Sequence, residues 1–258
     1  MSGDTQRFDW RGLVIPVGCV VAAEGAARVT GWQSDMLAPP SSIAVAFWTA
    51  ALDGTLVKAT AATLATSLAG LAIGAVLGLL VGILLGLVRS LDRLMEFSIE
   101  AFRPVPAVAL IPIALLVFGF GFRMEIAIVA FAAFWPILIL TRAAVAGVEP
   151  RLIQVGRALG FGAAARVWKI VLPAALPRIF VAFRLAAGIA LIVAVTVEIA
   201  ANPLGLGYNM ILAQQTMRPE LMLALLVWLG FVGWSLNRLL LWSQKSLFGP
   251  AALIRIER

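Results

Sequence analysis

The chain has 258 residues, 62% hydrophobic and 13% charged, with a formal net charge of +7 and a mean hydropathy of +1.02. Soluble domains carry roughly a quarter charged residues, so this composition excludes an ordinary soluble enzyme or binding domain. It predicts an all-α polytopic membrane protein. With no histidine and a single cysteine, Cys19, disulfides within the chain, Cys/His metal sites and histidine acid–base catalysis are excluded as well.

Arg7 and Arg11 precede an apolar run from Leu13 to Ala23, followed by small residues around Gly25 to Ala27. This run reads as a first transmembrane helix with Glu24 near its outer end. A secretory signal peptide is the alternative, and Val17-Gly18-Cys19 faintly resembles a lipoprotein cleavage site. Pro39-Pro40-Ser41-Ser42 looks like the start of an amphipathic surface helix. Its segment, near 41–52, is too short to span a bilayer.

Six apolar segments are expected to span, near 12–28, 60–88, 104–120, 125–146, 179–200 and 221–243. The second has no charge between Lys58 and Arg89. Within it Gly70, Gly74, Gly78, Gly82 and Gly86 recur every fourth residue and form one slowly drifting stripe. Missing side chains allow another helix backbone to come close. A tight turn at Gly119-Phe120-Gly121 separates the third and fourth spans. Trp228, Trp234 and Trp242 in the last span read as interfacial or packing aromatics.

The positive-inside rule orients these spans. With six spans and a cytoplasmic N-terminus, sixteen of the 20 basic residues fall inside and four fall outside: Arg28, Lys58, Arg123 and Arg218. Both termini are then cytoplasmic, with residues 30–55 and 201–218 outside. The chain is expected to form a single transmembrane domain over residues 1–258.

The longest cytoplasmic loop covers about residues 147–178. Pro150 suits a helix N1 position, and residues 151–159 read as a short amphipathic helix ended by Gly160 and Gly162. A second short helix is expected over Arg166 to Leu172, stopped before Pro173. Such a two-helix knob suits docking in a partner's groove. Gln154-Val155-Gly156-Arg157-Ala158-Leu159-Gly160, nine residues, then Ile170-Val171-Leu172-Pro173 resembles the EAA loop of ABC importer permeases. The family's Glu-Ala-Ala is replaced by Gln154, Val155 and Gly156, while Gly160, Ile170, Leu172 and Pro173 fall in register.

Further motifs resemble permeases of the nitrate, sulfonate, taurine and bicarbonate group. They are Leu37-Ala38-Pro39-Pro40-Ser41, Arg103-Pro104-Val105-Pro106, Leu110-Ile111-Pro112, Leu172-Pro173-Ala174-Ala175-Leu176-Pro177, Phe183-Arg184-Leu185, Val197-Glu198 and Gly205-Leu206-Gly207-Tyr208. The resemblance implies a type I ABC importer transmembrane fold in the bacterial cytoplasmic membrane. It implies a second permease copy, two ATP-binding subunits and a periplasmic or lipid-anchored binding protein. The solute it implies would be a small anion such as a sulfonate or nitrate, taurine, or a related organic compound.

The chain itself has no G-x-x-x-x-G-K-[ST] phosphate loop. It is therefore expected to be a permease without cofactor of its own, with ATP and Mg bound by the partner, and with lipid rather than nucleic acid as its surroundings. Gln154, Gly156, Arg157, Ala158, Leu159, Gly160, Arg166 and Lys169 are the expected ATPase-coupling residues. Glu198, Asn202, Tyr208 and Arg184 are candidates for the translocation path or gate. Glu198 also reads as a structural carboxylate paired with Arg218, and Arg184 as a side chain snorkelling to headgroups. An ion-coupled secondary transporter is the alternative function, but it would bury several ionisable groups mid-membrane and would leave the coupling-type loop unexplained. An intramembrane enzyme would need a Ser/Lys arrangement in the absence of histidine.

Overall fold

A computed structural model describes residues 11–30 and 37–249, without the side chains of residues 11–13, 16 and 30. The topology assignments of Arg7, Arg255, Arg258 and residues 31–36 lie outside that range. Every regular element among the described residues is helical. They fall into two compact units. One comprises residues up to Val57 with Asn209–Trp228, and the other comprises Lys58–Tyr208 with residues from Leu229 on.

The first unit holds α1 (Arg11–Thr30) and α2 (Pro40–Leu52). Pro40 sits at the first turn of α2, where its missing N–H costs nothing. Glu24 ties the two helices together: it accepts the Ser41 amide at 3.0 Å and pairs with Arg28 one turn on at 2.8 Å. The rings of Phe47 and Trp228 meet at 5.6 Å. Arg218 and Met217 donate back to Ala213 and Gln214, with Met217 at φ 54. That is a helix-ending turn with methionine where glycine is usual.

The second unit is organised around α6 (Phe122–Ala146) and α9 (Leu172–Ala200). Their interface is built from Ala133, Ala186, Ala187, Ala190 and Ala194 with Val129 and Ile137, all buried. Small residues let the backbones approach closely, which is how helices associate in lipid. On α3 (Thr55–Leu87) the glycine stripe faces α6. A Cβ on Gly74 would stand 2.5 Å from the Ala130 carbonyl, and one on Gly78 2.9 Å from that of Phe134. Gly70, Gly82 and Gly86 would strike Val129, Leu138 and Val145 in turn. Four-residue spacing thus holds α3 against α6 at each of these glycines from Gly70 to Gly86.

Two expectations change. The segment near 104–120 is not one straight helix. The amphipathic α4 (Arg89–Phe102) gives way to a 3-10 turn (Ala107–Leu110) and the eight-residue α5 (Ile111–Phe118), with a bend of 82°. Pro104 and Pro106 lack the N–H groups a continuous helix would need, and each disfavours helical backbone before it. Arg142 of α6 anchors α4 through Asp92 (Nη2 to Oδ2, 2.9 Å) and Glu96 (3.8 Å).

The second change is that Pro173 does not stop a helix. After α7 (Pro150–Ala158), α8 (Ala163–Arg166) runs through a π-helical turn (Val167–Val171) directly into α9. The widened turn lies over the residues whose carbonyls a proline ring at position 173 would otherwise crowd.

Among the described residues four helices are long and apolar enough to cross a membrane: Thr55–Leu87, Phe122–Ala146, Ala163–Ala200 and Pro219–Phe248 (α11). The bent pair would make a fifth. The short α10 (Gly205–Gln215) precedes α11.

Candidate functional site

The knob on the 147–178 loop is fixed by local hydrogen bonds. Phe161 donates to the Gly156 carbonyl at 2.9 Å and Gly160 to that of Arg157 at 3.0 Å. These two bonds make a Schellman turn, whose pivot residue needs a left-handed backbone. Gly160 supplies it at φ +75.

Beyond the turn, Arg166 donates to the Phe161 carbonyl at 2.9 Å, and the Lys169 ammonium stands 5.1 Å over the Phe161 ring. Gly156 is buried because α7 crosses the π-helical turn there: a Cβ would lie 2.5 Å from Ile170 Cδ1 and 3.3 Å from Arg166 Cγ. Gly156, Gly160, Arg166 and Lys169 therefore hold the knob's shape.

The outward surface is different. Gln154, Arg157, Ala158 and Leu159 are exposed, together with Leu152, Val155 and Trp168. Trp168 is 72% exposed and Leu159 64%, so the knob presents an apolar surface ringed by arginine. Sequence reading passed over Leu152, Val155 and Trp168 as docking groups. The helical spacing of Leu152 and Val155 with Leu159 was the available signal, but apolar residues in such a chain read first as membrane-facing; Trp168 lies beyond the Gly160 turn, outside any such pattern.

The residues considered for a translocation path sit elsewhere and in different settings. Glu198 and Asn202 are each 1% exposed. They belong to a polar cluster with Glu125, which sequence reading did not single out. Thr66 and the Asn202 amide both donate to the Glu125 carboxylate. The Gly207 amide donates to Glu198 at 2.7 Å, and the Leu206 amide to the Thr63 hydroxyl at 2.9 Å.

A Cβ on Gly205, at φ +92, would collide with the Glu198 carboxylate, and one on Gly207 with the Val195 carbonyl. The cluster thereby joins α3, the first turn of α6, the last turn of α9 and the entry to α10. Arg218 pairs with Glu220 at 3.8 Å. Tyr208 is half-buried at the start of α10. Arg184, half-buried on α9, reaches the buried Gln244 at 3.5 Å. Among the described residues no three His, Cys, Asp or Glu side chains are grouped as metal ligands.

Glu125→Leu should lower the melting temperature of the purified protein, because the buried Asn202 amide loses its acceptor at about 1–3 kcal/mol, while the Thr66 hydroxyl can turn to the Ala62 and Thr63 carbonyls. Glu125→Gln keeps an acceptor and should cost less. Equal stability of Glu125→Leu and wild type in thermal unfolding would contradict this role.

Residues 74–248 match the family described as the binding-protein-dependent transport system inner membrane component. A putative aliphatic sulfonates transport permease protein of Escherichia coli (strain K12) is 31% identical over 85% of this chain and 83% of its own length. The riboflavin transport system permease protein of Chloroflexus aurantiacus is 34% identical over 78% of this chain and 76% of its own. A putative ABC transporter permease protein of Methanocaldococcus jannaschii is 34% identical over 62% of this chain, and the match spans 60% of that relative. A chain in the crystal structure of an amino acid ABC transporter with histidines superposes with a TM-score of 0.65 at 19% identity, covering 78% of this chain and 98% of that one.

Proposed function

Because this chain belongs to the family of binding-protein-dependent transport system inner membrane components, we propose that it forms half of the solute path of an ATP-driven importer. Two copies would pair with two cytoplasmic ATP-binding subunits, and a periplasmic or lipid-anchored binding protein would deliver the solute. Both termini would face the cytoplasm. The path would open to one side of the membrane at a time. A change in the ATPase pair would be passed on by rigid-body movement of the docked knob. The solute class best supported by the sulfonate-named relative is a small organic anion.

The observation that carries this reading is the knob itself. Its backbone is locked by a Schellman turn, and its exposed face is apolar through Val155, Leu159 and Trp168. An apolar surface held that firmly, in a basic loop, suits a protein groove better than water. It also favours the importer over an ion-coupled carrier, which has no use for a docking element of this kind.

Val155→Asp places a charge on that surface without touching the turn. The variant should stay in the membrane but lose its ATPase on purification, and wild type should yield a complex with the mass of two copies of each subunit. A complex with one copy of this chain per two ATPases, or full ATPase retention in Val155→Asp, would refute the arrangement.

A further inference from the structure

Two carboxyl groups, Glu125 and Glu198, share one buried cluster with no cation to offset them. Glu125 is 0% exposed and Glu198 1%. Among the described residues neither takes part in an ion pair. Arg123 on α6 and Lys58 on α3 are the basic residues nearest to the cluster in sequence, and both are exposed. α5 and residues 205–208 add no charged group, only the half-buried Tyr208. Buried charge is costly unless it is paired, so two ionised carboxylates do not fit this setting.

The hydrogen bonds locate the surplus. Glu125 is supplied by the Thr66 hydroxyl and the Asn202 amide. On Glu198, Oε2 accepts from the Gly207 amide, while Oε1 has no donor. Asn202 Oδ1, four positions on, has none either. The Thr63 hydroxyl has one hydrogen, which goes to the Ala59 carbonyl. Both orphaned oxygens are acceptors, and an ionised carboxylate cannot donate. Neither has open surface, so a water or a metal ion has no room beside them. A proton needs no room.

We propose that this cluster is a proton-binding site, with the proton on Glu198 Oε1 and the negative charge on Glu125. A neutral Glu198 is a donor as well as an acceptor. It donates to Asn202 Oδ1, and the Asn202 amide nitrogen in turn donates to Glu125. One proton thus serves both orphaned oxygens and removes one of two buried charges. Ionisable groups inside membrane segments commonly mark proton or ion sites.

The consequence is a proton-linked latch. Glu198 holds the Gly207 amide and packs against Gly205, so it seats the entry to α10 on α9. Loss of the proton puts a second charge into a sealed cluster, and only the entry of water relieves it. The closed arrangement therefore binds one proton more than the opened one, and it weakens as pH rises. With one proton, the closed-to-open ratio falls by at most about tenfold per pH unit. The outward placement of this latch rests on the importer topology proposed above, but the proton does not.

The full chain, with whatever ATPase subunits co-purify, is held in dodecyl maltoside, a detergent without a carbonyl, and its infrared spectrum is recorded at neutral pH. A neutral carboxylic acid shows a carbonyl stretch that a carboxylate lacks. Wild type should show one such band. It should be lost in Glu198→Gln and shifted in Asn202→Ala, where its acceptor is gone. The glutamine amide can donate to Asn202 as the neutral acid does, so Glu198→Gln should melt like wild type at neutral pH. From neutral to alkaline pH wild type should lose melting temperature, and Glu198→Gln should lose less.

No acid band in wild type would overturn the site. So would a band that persists in Glu198→Gln or stays unshifted in Asn202→Ala. Equal losses of melting temperature in wild type and Glu198→Gln at alkaline pH would overturn the latch. Sodium or calcium chloride could instead raise the melting temperature of wild type but not of Glu198→Gln, with no acid band. That result would assign the cluster to a metal ion and overturn the proposal. If Glu198→Gln does not fold, the wild-type band and its shift in Asn202→Ala still decide. Failure of the importer reading shows separately, as a preparation in which no ATPase co-purifies.

Discussion

Uptake should be abolished in Gly160→Val while the protein remains inserted in the membrane. Gly160 sits at φ +75, where an L residue is strained by roughly 1–2 kcal/mol, and a β-branched side chain makes the turn worse. The space around it is open, since nothing lies within 4 Å of a Cβ there. The damage would therefore come from the backbone and not from a clash. Without the left-handed pivot, the bonds from Phe161 to Gly156 and from Gly160 to Arg157 cannot both form. Arg166 and Lys169 then lose their common anchor at Phe161, and α7 is no longer held across the π-helical turn.

No spanning helix is altered, so membrane insertion should be normal. ATPase association and solute uptake should fall together. Gly160→Asn is the control, because asparagine tolerates the left-handed region, and it should retain most of both. Gln154→Ala should be mild, because Gln154 is exposed and lies outside the turn. Normal uptake and ATPase retention in Gly160→Val would remove the knob from the coupling path.

The second large effect is expected where α3 meets α6. Gly74→Leu should prevent stable folding, or lower the melting temperature by many degrees. Even a Cβ at this position would stand 2.5 Å from the Ala130 carbonyl, 3.0 Å from Ala133 Cβ and 3.1 Å from the Phe134 amide nitrogen. Two of these three neighbours are backbone and cannot rotate away. Overpacking of a tight interior costs about 1–3 kcal/mol even when side chains can yield, and here the helices themselves must separate.

Gly188→Ala makes a matched comparison. It is also a glycine in a spanning helix, but a Cβ there meets nothing within 4 Å. That substitution should be neutral or stabilising by up to about 1 kcal/mol, because alanine loses less backbone freedom on folding. Thermal unfolding of the two variants in detergent measures the difference directly. Similar melting temperatures for both would mean that the glycine stripe is not what seats α3 on α6.

Much of this protein could be read from its residues because the relevant physics is local or compositional. An apolar chain with few charges must dissolve in lipid, whatever its tertiary structure. The spacing of Gly70 to Gly86 marks a close-packed helix face by itself, because helical periodicity alone puts those positions in one stripe. Gly160 and Gly162 directly after the amphipathic run 151–159 signal a helix end, and the structure has a left-handed turn at Gly160.

Other features depended on residues far apart in the chain. Glu125 is joined to Thr66 and Asn202, which lie 59 and 77 positions away, so no local pattern could reveal that a carboxylate in the first turn of α6 closes a buried cluster. The helix that continues past Pro173 also defeats a local rule. Proline usually ends a helix, and only the π-helical turn at Val167–Val171 lets α8 run into α9. Composition and periodicity determined the solvent and the helices, but which polar groups meet inside depended on long-range packing, which sequence spacing does not encode.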